Sequence, residues 1–158
     1  MTRLLALLFL LSTSQSFSQQ QSESAYQSAL GLKFSGGIAA SYKVFLTPTN
    51  ALEAQTMFFN KGIRLIGLYE FHFYNIEGLD GLAWYVGLGA HVGFYYARYK
   101  STYNTILDLG VDGVIGLDYH LKNFPINISI DWQPSFGLLG KPGIQPQFGG
   151  LAIRYTPQ

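Results

Sequence analysis

From Ile126 to Gln133 the chain alternates without a break. Ile126, Ile128, Ile130 and Trp132 fall on one side, and Asn127, Ser129, Asp131 and Gln133 on the other. Successive side chains of a strand point to opposite faces, so this stretch reads as a strand with one apolar and one polar face. Segments of this kind recur at about 28–35, 37–46, 51–59, 62–73, 82–95, 106–120, 124–134 and 147–156. None shows a helical period. The links "SGG" (35–37), "TPTN" (47–50), "NKG" (60–62) and "HLKNFP" (120–125) are short and hold Gly, Pro or Asn. Longer links lie at 74–81, 96–105 and 135–146. Eight consecutive strands on such turns predict an all-β, antiparallel up-and-down sheet that closes into an eight-stranded barrel.

Parity within each strand sorts the side chains into two faces. Arg64, Glu70 and His72 oppose Ile63, Leu65, Tyr69, Phe71 and Phe73. Tyr85 and His91, with Gly87, Gly89 and Gly93, oppose Trp84, Val86, Leu88, Val92 and Phe94. Asp108, Asp112, Asp118 and His120, with Gly110 and Gly116, oppose Leu107, Leu109, Val111, Ile115, Leu117 and Tyr119. Lys33, Lys43, Glu53 with Gln55, and Arg154 each stand against apolar residues of their own strand. The strand charges are four basic (Lys33, Lys43, Arg64, Arg154) and six acidic (Glu53, Glu70, Asp108, Asp112, Asp118, Asp131), and all share one face.

Size decides which face is inside. The interior of an eight-stranded barrel is just wide enough for side chains. The apolar face carries Trp, Phe, Tyr, Leu and Ile, too much bulk for that space, whereas the polar face is interspersed with Gly. A soluble lipocalin-like carrier would also show water more charge than this chain holds, since Asp, Glu, Lys and Arg make up only 12% of it. The pattern therefore predicts a transmembrane barrel, apolar side out. Tyr42, Phe73, Trp84, Phe94, Tyr95, Tyr119, Trp132 and Tyr155, near strand ends, are expected to form aromatic girdles at the two interfaces.

Arg3, the apolar run Leu4–Leu11, and Ser16 and Ser18 ahead of Gln19 have the layout of a cleavable secretory leader over 1–18. The barrel is then a single domain over 19–158. The absence of cysteine excludes disulfides, thiol nucleophiles and Cys–zinc sites. A net charge of +1 gives no argument for nucleic acid.

The stretches "ALGLKFSGG", "GLYEFHF", "WYVGLGAHVGFYY", "DLGVDGVIGLDYHL" and "GGLAIRY" resemble the small eight-stranded outer-membrane barrels, of the OmpX and OmpA-membrane-domain kind and the short outer membrane protein beta-barrel domains of Bacteroidota-type bacteria. The resemblance covers the mature chain. It implies a monomer with a porin-like fold in the outer membrane of a Gram-negative bacterium. Its partners would be outer-membrane lipids, lipopolysaccharide and the barrel-assembly machinery. That machinery often reads a terminal aromatic residue; the chain ends "RYTPQ", so Tyr155 would serve. With both termini periplasmic, 35–37, 60–61, 96–105 and 135–146 are external, and 47–50, 74–81 and 121–123 periplasmic. "ARYKSTYNT" (97–105), with Arg98, Lys100, Tyr99 and Tyr103, reads first as a solvated loop and second as a contact for anionic lipopolysaccharide.

The lumen is expected to hold a structural polar network of Lys33, Lys43, Glu53, Arg64, Glu70, His72, Tyr85, His91, Asp108, Asp112, Asp118, Asn127, Ser129, Asp131, Gln133 and Arg154. Buried charges need partners. Hairpin pairing places Asn127 near Asp118, Ser129 near Gly116, Glu70 near Tyr85 and Arg64 near His91. His91 lies close to Asp108 or Asp112. An Arg64–His91–Asp112 chain follows. The function predicted is a non-catalytic, envelope-stabilising, structural or adhesive barrel without cofactor. The alternative is a lipid-A-modifying enzyme using Ser129 with a His; the expected neighbour of Ser129 is Gly116, outside the hydrogen-bond reach a nucleophile and its base require. His72, His120 and Asp118 suit a metal by type, but their spacing is not compact.

Overall fold

The chain is described by a computed structural model covering residues 24–157 apart from 75, 77, 104 and 147. The leader expected at 1–18, and Gln19, lie outside the described residues. The strands are β1 (Ser28–Ser35), β2 (Gly37–Phe45), β3 (Asn50–Phe59), β4 (Gly62–Phe73), β5 (Leu82–Tyr95), β6 (Leu107–His120), β7 (Ile126–Trp132), β8 (Ser135–Leu139), β9 (Gly143–Gln145) and β10 (Gly149–Tyr155). Each of β1 to β5 pairs antiparallel with the next, β10 pairs with β1 and β7, and β6 with β7. Pairing of β5 with β6, from Leu82↔Tyr119 to Phe94↔Leu107, closes the sheet into an eight-stranded antiparallel barrel. Closure removes the unpaired edge that an open sheet would present.

Residues 135–146, expected as an external loop, are mostly sheet. β8 pairs with β9 and with Leu109–Asp112 of β6. β7 and β8 are therefore one long strand interrupted at Pro134, and β9 and β10 another. Proline has no N–H to give the ladder, but Pro134 still accepts from Gly113 N at 2.9 Å. The 14-residue β6 thus keeps a neighbour along its length. The turn is reduced to Gly140, Lys141 and Pro142, with Gly140 at φ 88°. The link at 96–106 holds a 3-10 turn (Ala97–Tyr99) and one helical turn, α1 (Lys100–Tyr103).

Two hairpin registers differ from expectation by two residues. Asp118 faces Ser129 and Gly116 faces Asp131, while His72 faces Tyr85 and Arg64 faces Gly93. The expectation assumed symmetric hairpins. Barrel strands are staggered: Leu82 and Ala83 run past the end of β4 and pair only with β6. A slip of two leaves every side chain on its original face, whereas a slip of one would invert them all.

The faces are as parity sorts them. All ten strand charges point inward and are buried, from Asp108 and Glu70 at 0% exposure to Asp131 at 8%. Leu30, Leu32, Ile38, Leu65, Leu88, Ile115, Ile130 and Ile153 point outward and are exposed. Of the expected girdle residues, Tyr42, Phe73, Phe94, Tyr119, Trp132 and Tyr155 are exposed on the outer face, and Trp84 stacks on Phe73 with ring centroids 4.3 Å apart. Tyr95 is a correction. Its parity follows His91 and Gly93, so it turns inward, and its hydroxyl donates to Asp108 at 3.2 Å.

Candidate functional site: the barrel interior

The interior has four layers. At the rim that carries the termini, Tyr26 packs edge-on against Phe45 and Phe45 against His72, with centroids 5.1 and 4.8 Å apart. Tyr26 precedes β1, so strand parity could not place it. Its hydroxyl donates to Asp118 at 2.9 Å. Burial, and then the Asp118 charge, push the phenol above its ordinary range, so Tyr26 remains a donor.

Above this end lies the larger ionic cluster. Arg154, on β10, is its hub. Nε donates to Ser41 Oγ at 2.7 Å, Nη1 to Ser129 Oγ at 2.7 Å and Asn127 Oδ1 at 3.3 Å, and Nη2 to Glu53 Oε1 at 2.7 Å. Ser41 in turn donates to Glu53 at 2.7 Å. Lys43 Nζ sits among three carboxylates, Glu70 at 2.8 Å, Asp118 at 3.2 Å and Glu53 at 3.4 Å, and 4.3 Å from the centroid of the Tyr85 ring. Asn127 donates to Asp118. Lys33 Nζ reaches Asp131 at 2.8 Å and Gln133 at 2.9 Å, and Tyr85 donates to the other oxygen of Asp131 at 2.7 Å. His72 Nε2 lies 2.9 Å from Glu70 Oε2, with its ring stacked on Tyr85. A buried charge stripped of water is tolerated only when paired and hydrogen-bonded, and each cation here meets that condition.

The smaller cluster lies toward the opposite rim. Arg64 Nε donates to Asp108 Oδ2 at 2.8 Å, and its guanidinium rests over Phe148 at 4.5 Å. His91 Nδ1 meets Asp112 at 2.8 Å, while Nε2 lies 3.8 Å from Asp108. The expected Arg64–His91–Asp112 chain is thus real but runs through Asp108. His91 stands opposite Gly110, midway between the two aspartates. A Cβ at position 110 would fall 2.4 Å from His91 Cε1, so glycine leaves the ring its place.

Between the clusters is an apolar layer of Met57, Ile66, Leu68, Val114 and Phe148, all buried. The expected network does not include it, although parity puts Ile66 and Leu68 on the face of Arg64 and Glu70. Ser35, Tyr95, Ser135, Gln145 and Thr156 are further buried interior residues outside that network. Ser35, Tyr95 and Thr156 lie within the expected strands, whereas Ser135 and Gln145 lie in the expected loop.

All sixteen expected luminal residues are buried in the barrel interior. The chemistry available there is narrow. Ser129 Oγ is engaged by Arg154, His72 by Glu70 and His91 by Asp112. Among the described residues no three His, Asp or Glu side chains form a group that could hold a metal ion. His120 lies at the terminal rim, where it helps line an open cleft of about 330 Å³ with Tyr26, Lys122 and Phe124.

Fold and interior together define a class: a closed eight-stranded antiparallel barrel whose strand charges point inside and whose outer wall is apolar. Compared with family models, with curated proteins and with solved structures, the chain matches none.

Proposed function

We propose that the chain is a non-catalytic integral outer-membrane barrel with a filled polar interior, whose role is structural, envelope-stabilising or adhesive. One observation carries this reading: ten charges are buried while Leu88, Phe94, Ile130, Trp132, Ile153 and their outward neighbours on every barrel strand are exposed. Soluble monomers rarely expose contiguous apolar patches beyond a few hundred Å². The inversion is economical when acyl chains surround the wall, because the outward residues then stay out of water. Strand length supports it too, since about 9–11 tilted residues cross a bilayer and β3, β4, β5 and β6 have 10, 12, 14 and 14. No helix among the described residues is long and apolar enough to cross a membrane, and a barrel needs none. The interior bonds of Ser129, His72 and His91 support a structural rather than a lipid-A-modifying role.

Fractionation of expressing cells, followed by gel electrophoresis of boiled and unboiled samples, tests the reading. The protein should partition with outer membranes and migrate differently in the two samples. Recovery in the soluble periplasmic fraction would instead promote the secreted carrier. Lipid A from cells with and without the gene should have the same acyl pattern; a difference abolished by Ser129→Ala would make the protein an enzyme.

A further inference from the structure

One row of outward positions on the wall is almost without side chains. Ala54, Gly67 and Ala90 stand side by side on β3, β4 and β5, and all three are exposed. With their neighbours they form an apolar hollow of about 590 Å³ in the outer face. Most of the barrel's glycines are hemmed in by a facing strand or an interior side chain, but a Cβ on Gly67 would meet nothing within 4 Å. Its φ lies outside the left-handed region as well. The fold itself thus gives no reason for glycine there. A glycine inside a strand weakens it and often marks a place where another backbone or a ligand comes close. Beside the hollow stands a knob. Leu88 of β5 is 75% exposed, against 42% for Leu52 and 37% for Tyr69 in the same row. Its neighbour on β6 is Gly113, which offers no flanking side chain.

Knob and hollow lie at nearly one height. The register row through Gly67 begins at Leu30, near the terminal end of β1, and reaches Ile144, beside the Gly140–Pro142 turn of the opposite rim. Each step along that row from one strand to the next therefore climbs away from the terminal rim. Leu88 is one such step from Gly67 and two residues back toward the terminal rim, since it faces Tyr69. With strands about 4.8 Å apart, about 6.7 Å for two residues and a tilt of about 35–45°, the two displacements leave roughly 1–3 Å in height and about 8 Å sideways. From this we infer that the hollow is the interface for a second copy of this chain, related by a two-fold axis parallel to the barrel axis. Such an axis keeps both copies the same way up in a membrane, and a two-fold interface makes each contact twice. Leu88 of each copy enters the other's hollow over Gly67. The inference rests on the outer-membrane reading, and it departs from the monomer that the resemblance implies. In lipid, apolar burial gives chains no drive to associate, so close approach at small residues is what holds them together. A lipid chain would use the hollow alone; a knob beside it at the same height favours a second copy.

The test uses the full chain folded in density-matched detergent and read by sedimentation equilibrium. The natural protein should have the mass of two chains. Gly67→Leu, which fills the hollow, and Leu88→Ala, which removes the knob, should each have the mass of one. Ile153→Ala, on β10 across the barrel, should keep the mass of two. The unboiled gel band establishes that each variant is folded; if Gly67→Leu does not fold, Leu88→Ala carries the comparison. The chain has no cysteine, so introduced thiols report alone. Gly67→Cys and Leu88→Cys chains folded together should be joined by a short bismaleimide, and Gly67→Cys with Ile153→Cys should not. A one-chain mass for the natural protein overturns the inference and leaves the hollow to a lipid. So does a two-chain mass that survives loss of the hollow or of the knob in a folded variant, or a cross-link that forms as readily to position 153. Mass in detergent does not depend on where the cell places the protein, so failure here is distinguishable from failure of the fractionation experiment.

Discussion

At the scale of single residues, each buried charge is a liability held in check by its partners. Removing one partner of a buried pair typically costs about 3–5 kcal/mol, because the other charge is left without water. Arg154→Met takes from Glu53 its nearer cation, leaving Lys43 at 3.4 Å, and removes a donor from Ser41, Ser129 and Asn127. The expected outcome is a loss of that order in the urea stability of the detergent-folded barrel, read from the unboiled gel band. Lys43→Met should cost as much, and Lys43→Met/Glu70→Gln less, since the second change removes a stranded carboxylate. Equal loss in the single and double variants would mean that Lys43 is not balanced by Glu70. At the terminal rim, the hydrogen bond and charge of Lys122 hold the exposed Asp80 carboxyl below its ordinary range. Lys122→Met should return it upward in an NMR titration; an unchanged midpoint would show that the contact is absent in solution.

At the scale of the strand, alternation is the governing rule. It made strand positions and faces legible from β1 to β6, because parity cannot change without breaking a strand. It did not reveal the stagger between strands, which is a property of barrel closure and not of any one hairpin. That is why Ser129 faces Asp118 and not Gly116. Gly137, Gly140 and Gly143 disguised β8 and β9 as a loop. Tyr95 is legible by parity, which outweighs its place near a strand end. The apolar layer was legible in the same way, at Ile66 and Leu68. The face assignment makes a prediction of its own. Ile128 points outward and Ser129 inward, one residue apart. If acyl chains surround the wall, Ile128→Arg should cost roughly 2–4 kcal/mol, whereas Ser129→Ala removes one acceptor from Arg154 at about 1 kcal/mol. Folding yields into lipid vesicles should follow that order, and the reverse order would exclude lipid as the outer solvent.

At the scale of the whole molecule, the barrel is a wall with its solvent preferences reversed, its two rims distinguished by charge. The terminal rim joins β-strands through links that include the Lys122–Asp80 pair, and the connections of the opposite rim hold Lys61, Arg98, Lys100 and Lys141 and no Asp or Glu. The layer of Met57, Ile66, Leu68, Val114 and Phe148 adds something that neither cluster supplies. Along β4, Ile66 and Leu68 stand between Arg64 and Glu70, so apolar side chains part the two clusters there. An ion entering from either rim would meet that layer without the polar ligands it leaves behind. In a planar bilayer the protein should therefore be an insulator, silent under applied voltage, and Leu68→Ser with Ile66→Ser is where a leak would begin.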